Sequence, residues 1–316
     1  MSDMRRRKFL KTSGLLLGAA ALGKIPMHCG QQSASGWDGF KYAMCNESMM
    51  DRPWADQCQV IADAGYTGVE IAPFTLVEKG VSELTASDRK NLLNEMQSRD
   101  LECVGLHWLL SPPPEGLHFT TPDDEVRSRT VDYLDQLVDF CADLNGEVMI
   151  FGSPGQRSTV EGQTLESAMQ NFADGLAQVA DHAAERNVKV LVEPLSSDQT
   201  NVVNTLAEAM KIVNMVDHPA IQTMFDFHNT VDETKPMDEL IHEYIDNMYH
   251  VQIQEMDGTY LGTGDAVTEF VPAFQAFKDV GYDGWISLEV FDFEPGGEKI
   301  AEESMEVLQT LESKVS

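Results

Sequence analysis

Short apolar runs alternate with longer segments of helical periodicity from about residue 38 to the end of the chain. The clearest short run is 188–193, Val-Lys-Val-Leu-Val-Glu, which is stopped by Pro194. A run of β-branched and aliphatic residues bounded by proline predicts a buried strand of a parallel sheet, with Glu193 at its carboxyl end. The segment 123–144 gives the clearest helix signal, because its apolar residues fall on one stripe.

This alternation predicts strands at 40–44, 69–71, 101–107, 148–151, 188–193, 221–226, 248–253 and 285–290, each followed by a helix. Regular alternation implies a parallel sheet, and eight strand and helix units close into a (β/α)8 TIM barrel. A doubly wound open sheet is the competing architecture, but no Gly-x-Gly-x-x-Gly motif follows the first strand. The second helix is expected at 87–99, with Ser87 as its N-cap.

The first 36 residues have the composition of an export signal followed by a polar leader. The stretch 6–11, Arg-Arg-Lys-Phe-Leu-Lys, precedes a short apolar run at 14–23, which is the pattern of a twin-arginine signal and is too short to span a membrane. We therefore expect a periplasmic protein that uses the twin-arginine translocation machinery, with its TIM barrel domain at 37–316. Cys29 is a candidate lipid anchor, although the residues before it lack the small side chain usual at such sites.

The chain is strongly acidic. Its formal net charge is −30, and without residues 1–29, which hold six basic residues and one acidic residue, the charge is −35. Such a surface repels phosphate backbones, so nucleic acid is not an expected partner, and phosphorylated substrates are disfavoured. Cys45, Cys58, Cys103 and Cys141 show no paired spacing, which argues against a zinc knuckle or a redox motif.

Polar side chains follow several of the predicted strands. In a barrel these positions converge on one mouth, and polar groups at the ends of hydrophobic strands are stable together when they share a cation. Three carboxylates and one neutral oxygen form a hard site that suits Mn²⁺, Mg²⁺ or Co²⁺, without excluding Zn²⁺. The residues at these positions are Glu70, His107, Glu193, Asp226, His228, Gln252 and Glu289.

Glu193 and Glu289, from strands five and eight, are expected to face one another across the metal. Two carboxylates on opposite sides of a sugar carbon can remove a proton and return it. A cation that holds adjacent substrate oxygens would stabilise the enediolate that forms. The pattern therefore predicts proton transfer next to a carbonyl group.

Five motifs occur in a characteristic order: Gly-Tyr-Thr-Gly-Val-Glu-Ile at 65–71, Glu-Pro at 193–194, Asp-Phe-His at 226–228, the segment 250–255 leading into Gly-Thr-Gly-Asp at 262–265, and Ser-Leu-Glu at 287–289. Together they resemble the xylose isomerase-like TIM barrels, a sugar isomerase and epimerase superfamily that includes ketose 3-epimerases and inosose dehydratases. The resemblance implies that Glu193, Asp226, Gln252 and Glu289 bind the metal. It also implies that Glu193 and Glu289 are the acid and base, that His228 lies near the substrate, and that the protein forms a homodimer.

Three positions depart from the pattern of those epimerases. Asp-Phe-His at 226–228 is one residue shorter than the spacing in some of them, which leaves the role of His228 open. The third metal ligand is usually histidine, but here Gln252 takes that place and His250 lies two residues earlier on the same strand face, so either could reach the metal. The arginine after strand seven is missing, and Arg157 from the strand-four loop is either its substitute or a surface residue. His107 and Trp108 could bind sugar, although Trp108 fits a lid or an interface equally well. The candidate substrate-binding residues are Glu70, His107, Trp108, Arg157, His228 and His250.

The favoured function is a metal-dependent isomerase or epimerase of an unphosphorylated sugar or keto-polyol. The same site could support β-elimination, as a lyase or hydrolase of 3-keto-glycosides or an inosose dehydratase. Export favours that alternative, because sugar isomerases usually serve cytoplasmic pathways. A non-catalytic carbohydrate-binding protein of the envelope is a third alternative, and it predicts binding without exchange of carbon-bound protons.

Overall fold

A computed structural model describes residues 37–316 and contains parallel strands that close into a barrel. In this range the strands are β1 (Lys41–Cys45), β2 (Gly68–Ile71), β3 (Glu102–Leu106), β4 (Val148–Phe151), β5 (Lys189–Val192), β6 (Ile221–Asp226), β7 (Met248–Ile253) and β8 (Trp285–Leu288). They pair in chain order, and β8 pairs with β1. The predicted (β/α)8 TIM barrel is confirmed.

Helices follow the strands and cover the outside of the barrel. In the described residues they are α1 (Trp54–Asp63), α2 (Ala86–Gln97), α3 (Asp124–Asp143), α4 (Pro154–Arg157), α5 (Leu165–Glu185), α6 (Leu206–Val216), α7 (Met237–Tyr244), α8 (Ala266–Glu269), α9 (Val271–Asp279) and α10 (Gly297–Lys314). Two short 3-10 turns, Glu47–Met49 after β1 and His228–Asp232 after β6, carry residues of the site described below.

Helix α2 begins one residue earlier than the sequence predicts, because Thr85 is its N-cap and Ser87 is not. The Thr85 hydroxyl accepts a hydrogen bond from the backbone N–H of Asp88 at 3.2 Å, and the Asp88 carboxylate accepts one from the backbone N–H of Thr85 at 2.9 Å. This reciprocal capping box satisfies N–H groups that a helix start leaves unpaired. Ser87 lies inside the first turn, where it cannot cap the helix.

The barrel interior is apolar toward the amino-terminal ends of the strands. A small cluster of buried side chains fills it, namely Ala43, Val104, Val148, Ile150, Leu191 and Met224, with Trp285 packed against them. Gly105 on β3 permits close approach of β4, since a Cβ at this position would collide with the backbone carbonyl of Val148. Glu193, Asp226 and Glu289 lie at the carboxyl ends of their strands, so they gather at the opposite end of the barrel.

Residues 1–36, which include the predicted twin-arginine signal and Cys29, lie outside the described residues. Residues 39–316 form one unit of mutual contacts. Within the described range, no helix combines the length and the apolar character that a membrane crossing requires. Cys45, Cys58, Cys103 and Cys141 are buried free thiols.

Candidate active site

Three carboxylates meet at the carboxyl end of the barrel. Glu193 directly follows β5, Asp226 is the last residue of β6, and Glu289 directly follows β8. Oxygens of the three side chains lie within 4.8 Å of one another, and each residue is at most 5% exposed. We call Glu193, Asp226 and Glu289 the carboxylate cluster. The structure thus brings together three of the four residues predicted as metal ligands.

Asn229 connects two members of this cluster. Its side-chain nitrogen donates to Asp226 Oδ2 and, at 3.3 Å, to Glu193 Oε1. The other Asp226 oxygen accepts from the backbone N–H of His228 at 2.9 Å. Asn229 was not predicted from the sequence. Its position three residues after Asp226, at the start of the 3-10 turn that follows β6, is the signal that could have found it.

Burial disfavours the anionic form of all three carboxylates. It raises the pKa of Glu193 well above its ordinary value, and the nearby Glu289 and Asp226 add to the effect. Burial also raises the pKa of Glu289 well above its ordinary value, although His107 acts in the opposite direction. The pKa of Asp226 rises to about 6, again chiefly through burial. Such a group is stabilised either by holding a proton or by binding a cation.

Gln252 on β7 presents an unpaired oxygen. The strand register places it between Asp226 on β6 and Ser287 on β8. Its side-chain nitrogen donates to Glu70 Oε1 at 2.7 Å, while its carbonyl oxygen is buried without a hydrogen-bond partner among the described residues. Because an ionised carboxylate can only accept, Glu70 fixes the orientation of the amide and leaves its oxygen free to bind a cation.

His250, the alternative third ligand, also contacts Glu70. Its Nε2 lies 2.7 Å from Glu70 Oε2, its Nδ1 has no hydrogen-bond partner among the described residues, and the residue borders a cavity at the amino-terminal end of the barrel beside Lys41 and Trp285. His250 precedes Gln252 by two residues, which places it about 7 Å farther from the carboxyl end of the strand. The geometry therefore favours Gln252 over His250 as a ligand.

A buried network of charged groups surrounds His107. Its Nε2 lies 2.9 Å from Glu47 Oε2, and its Nδ1 lies 3.4 Å from Glu70 Oε1. Burial alone would lower the pKa of His107, but Glu47 and the other carboxylates outweigh it and raise that pKa to about 9. Burial opposes ionisation of Glu70, but His250 and His107 outweigh it and lower the pKa of Glu70 to about 2. Glu47 was not predicted, because it lies on a short turn and not at a strand end.

A cavity of about 560 Å³ opens onto the carboxylate cluster, and Glu193 and Glu289 form part of its wall. Trp108 and Phe291 provide aromatic surface, and the indole N–H of Trp108 donates to Glu289 Oε1 at 2.6 Å. His228 lies at the same wall, edge-on to Phe291 with 5.2 Å between ring centroids. Of the predicted substrate-binding residues, Trp108 and His228 therefore line the cavity. Within residues 37–316, no lysine or arginine does so.

Three other predicted substrate-binding residues do not line this cavity. Glu70, His107 and His250 are each at most 1% exposed. Their carboxylate and imidazole groups lie against one another inside the barrel, at 2.7 Å between His250 Nε2 and Glu70 Oε2 and 3.4 Å between His107 Nδ1 and Glu70 Oε1.

Arg157, predicted as either a substrate contact or a surface residue, lies neither at the wall of this cavity nor on the surface. Arg157 is fully buried, and its Nη1 donates to the backbone carbonyls of Phe151 at 2.9 Å and Glu193 at 2.7 Å. Its Nη2 donates to the carbonyl of Val203 at 3.2 Å. The guanidinium group thus joins the ends of β4 and β5 to the segment before α6, and it holds the backbone of Glu193 in place.

The donor set of this site fits a hard divalent cation. The oxygens of the carboxylate cluster are close enough to share one ion, and their combined negative charge is costly to bury without one. The carbonyl oxygen of Gln252, buried and without a hydrogen-bond partner among the described residues, is available as a fourth, neutral donor. Oxygen ligands of this kind suit Mn²⁺, Mg²⁺ or Co²⁺.

Comparisons with known proteins agree on one family and fold. The family described as xylose isomerase-like TIM barrel matches residues 58–311. A probable ketose 3-epimerase of Synechocystis sp. is 26% identical over 57% of this chain and 63% of its own length, so the match spans less than two thirds of that relative. An L-ribulose 3-epimerase of Methylomonas sp. is 26% identical over 74% of this chain and 77% of its own length.

Among solved structures, a 3-keto-D-glucoside 4-epimerase from E. coli superposes with a TM-score of 0.74. The two chains are 18% identical, and the alignment covers 86% of this chain and 99% of the other. At this level of identity the likeness is one of fold.

Proposed function

Because the chain belongs to the xylose isomerase-like TIM barrel family, we propose that it is a metal-dependent epimerase or isomerase of an unphosphorylated sugar or keto-polyol. The observation that carries this proposal is the approach of Glu193 and Glu289, whose oxygens lie within 4.8 Å of one another at the wall of one cavity. The relatives named as ketose 3-epimerase and L-ribulose 3-epimerase support the reaction class.

Glu193 and Glu289 would transfer the proton. Burial raises the pKa of both carboxyl groups, so each can hold a proton during part of the reaction cycle. One carboxylate takes a proton from the carbon next to the substrate carbonyl, and the other group, as the acid, returns a proton to the opposite face. The result is inversion at that carbon. The indole N–H of Trp108 holds Glu289 in a fixed orientation for this role.

The carboxylate cluster and Gln252 would hold a divalent cation, which as a Lewis acid polarises a substrate carbonyl. Mn²⁺, Mg²⁺ or Co²⁺ suits these ligands best, and Zn²⁺ is also compatible. Asn229 bonds to two of the carboxylates and Glu70 orients the Gln252 amide, so both residues keep the donor atoms in place.

The cavity favours a neutral substrate. In the described part of the chain no lysine or arginine lines it, while Asp198 and Asp257 add negative charge to its wall. A phosphate group would be repelled and would find no lysine or arginine among these lining residues to pair with. The rings of Trp108 and Phe291 offer apolar surface for the C–H face of a sugar.

The volume of the cavity favours a second candidate, in which the sugar carries a leaving group. A volume of about 560 Å³ leaves room beside one sugar ring for an attached group. Proton removal next to a carbonyl is also the first step of β-elimination. The same residues would then serve a lyase or hydrolase of 3-keto-glycosides, or an inosose dehydratase.

We also propose that the protein is exported to the periplasm by the twin-arginine machinery, on the basis of the motif at 6–11. Replacement of the two arginines at 6 and 7 by lysine is expected to leave the uncleaved chain in the cytoplasm. Cell fractionation followed by determination of the mature N-terminus would measure this, and export of the variant at the normal level would contradict it.

The test of the enzymatic proposal is proton exchange in D₂O. The protein, supplied with Mn²⁺, is incubated with free ketoses, inososes and 3-keto-glucosides and followed by proton NMR. Deuterium is expected to enter a carbon next to the carbonyl only when metal is present, and the product distinguishes an epimer from an eliminated group. Glu193→Gln should abolish exchange, while Glu298→Gln, a change at a side chain that is 61% exposed, should not affect it.

Exchange that persists in Glu193→Gln would contradict the assigned role of Glu193. Binding of a sugar without exchange on any of these substrates, in protein shown to contain metal, would replace the enzymatic proposal with a carbohydrate-binding function.

A further inference from the structure

The barrel has a second cavity at the end opposite to the carboxylate cluster. It has a volume of about 460 Å³ and lies at the amino-terminal ends of the strands, where Lys41 begins β1 and Trp285 begins β8. We call it the amino-end cavity. Its volume is within the range of about 300–1,000 Å³ that small-molecule sites occupy. In the described part of the chain, it shares no lining residue with the cavity at the carboxylate cluster.

Apolar side chains form part of the wall of the amino-end cavity. The indole of Trp285 lies there because Gly68 on β2 leaves room for it: a Cβ at Gly68 would be 2.8 Å from the indole and 2.8 Å from the Val104 side chain. Val104, Val148 and Met248 supply further apolar surface. These groups can contact the C–H surface of a ligand.

His250 brings an unpaired polar atom to this cavity. The residue lines the cavity and is only 1% exposed. Its Nε2 lies 2.7 Å from Oε2 of Glu70, which does not line the cavity, while its buried Nδ1 has no hydrogen-bond partner among the described residues. An unpaired polar atom in a buried site is costly, so a ligand that forms a hydrogen bond with Nδ1 would be favoured. A purely apolar ligand would leave this atom unpaired.

The charged residues of the amino-end cavity disfavour ionic ligands of either sign. Glu147, Asp246 and Asp283 line it together with one ammonium group, that of Lys41, so an anion would be repelled. Lys41 Nζ lies 5.8 Å from the centroid of the Trp285 ring, so an ammonium group of the protein already takes the place that an organic cation would take on this ring. Hydroxyl groups, in contrast, can accept from the ammonium group and donate to the carboxylates.

We propose that the amino-end cavity binds a neutral polyhydroxylated molecule, a sugar or a cyclitol. A hydroxyl group both donates and accepts, so it can pair with His250 Nδ1 whether the imidazole ring is neutral or protonated. The remaining hydroxyl groups would pair with Lys41 and the carboxylates of the cavity wall. This site lies apart from the proposed epimerase centre and requires neither its metal nor its reaction.

Titration calorimetry on protein treated with a chelator measures this binding, because sugar binding that depends on a metal at the carboxylate cluster is then absent. D-Glucose, D-fructose and myo-inositol are the probes. We expect at least one of them to bind with one molecule per chain. Asp283→Ala should weaken that binding by about fivefold or more, since it removes a hydrogen-bond acceptor. Asp181→Ala, at a side chain that is 96% exposed and does not line the cavity, should leave the affinity unchanged.

A crystal of the unmodified protein soaked with the bound probe locates the site without any variant. We expect a hydroxyl group of the probe within hydrogen-bond distance of His250 Nδ1. The proposal would be overturned if none of the three probes bound, if the probe lay anywhere other than the amino-end cavity, or if residues 1–36 of the chain itself filled the cavity. Absence of proton exchange in D₂O would overturn only the proposed function, since binding at the amino-end cavity is measured without metal.

Discussion

The indole nitrogen of Trp108 lies 2.6 Å from Glu289 Oε1 and donates a hydrogen bond to it. Trp108 adopts a φ of 50°, a left-handed conformation that is rare for so bulky a residue. Its ring also lies against Phe74 and Phe291, with centroid distances of 5.7 Å and 6.4 Å. A strained backbone conformation at Trp108 therefore accompanies a hydrogen bond that fixes the orientation of Glu289.

Trp108→Phe tests this relationship, since it keeps an aromatic ring and removes the donor. Hydrogen bonds to charged groups contribute about 1.5–3 kcal/mol, so we expect kcat to fall by about tenfold or more while KM changes little. Steady-state kinetics on the substrate identified by proton exchange would measure both constants. Trp54→Phe is the matched control, because Trp54 donates instead to the backbone carbonyl of Leu92 on α2. Equal losses of kcat in the two variants would contradict a specific role for Trp108.

Glu70→Gln is expected to weaken metal binding without removing a ligand. The glutamine amide at residue 70 can donate as well as accept. It therefore no longer forces Gln252 to direct its side-chain nitrogen to residue 70 and to leave its carbonyl oxygen unpaired. Loss of such a supporting partner typically costs about 10–100-fold in metal affinity. Titration calorimetry with Mn²⁺ would measure the change, with Glu298→Gln as the surface control. Unchanged affinity in Glu70→Gln would show that Glu70 does not position Gln252.

The barrel and its strand-end carboxylates could be predicted from the sequence because each depends on local pattern. A buried strand is recognisable as a short aliphatic run, and the acid that ends it points to the same mouth in every strand of a barrel. That is why Glu193, Asp226 and Glu289 were expected together. The choice between Gln252 and His250 could not be made in the same way, since both lie on one strand face. Their positions along β7 in the structure distinguish them, because Gln252 lies level with Asp226 on β6 and His250 lies two residues farther from the carboxyl end.

Residues outside the strands were harder to predict. Glu47 and Asn229 lie on short turns, whose position relative to the site depends on how the whole barrel closes. The place of Arg157 could not be predicted because a charged side chain after a strand suggests a ligand contact or a surface position, whereas here three backbone carbonyls compensate its burial. Long-range pairing of this kind leaves no signature in the neighbouring sequence.

Arg157→Lys should destabilise the fold without changing substrate affinity. Lysine cannot reproduce the planar fork of donors, and each buried carbonyl left unpaired costs about 1–3 kcal/mol. We expect the free energy of unfolding to fall by about 2–4 kcal/mol in denaturant titrations, with KM unaltered in the folded protein. Arg129→Lys, at a side chain that is 51% exposed, should have no measurable effect on stability. A raised KM with normal stability would restore the substrate-binding interpretation of Arg157.

Gly152, which follows β4, controls the position of the Glu193 carboxylate. A Cβ at this residue would lie well inside contact distance of Glu193 Oε2 and 3.3 Å from its Cδ, while the nearest atom of Leu195 would be 3.8 Å away. The Glu193 side chain would therefore have to move, and little else would. A displacement of about 1 Å at a reacting group can cost about 100-fold in rate, so Gly152→Ala should lower kcat by about 10–100-fold with little loss of stability.

Gly155→Ala separates this effect from simple narrowing of the cavity. Gly155 borders the same cavity, but a Cβ there meets no atom within 4 Å. Its kcat should exceed that of Gly152→Ala by at least about tenfold. Thermal unfolding of both variants would verify that the fold is intact, and a crystal structure of Gly152→Ala should show Glu193 displaced. If Gly152→Ala retained full activity, Glu193 would not need its present position, and its assignment as the acid or base would have to be abandoned.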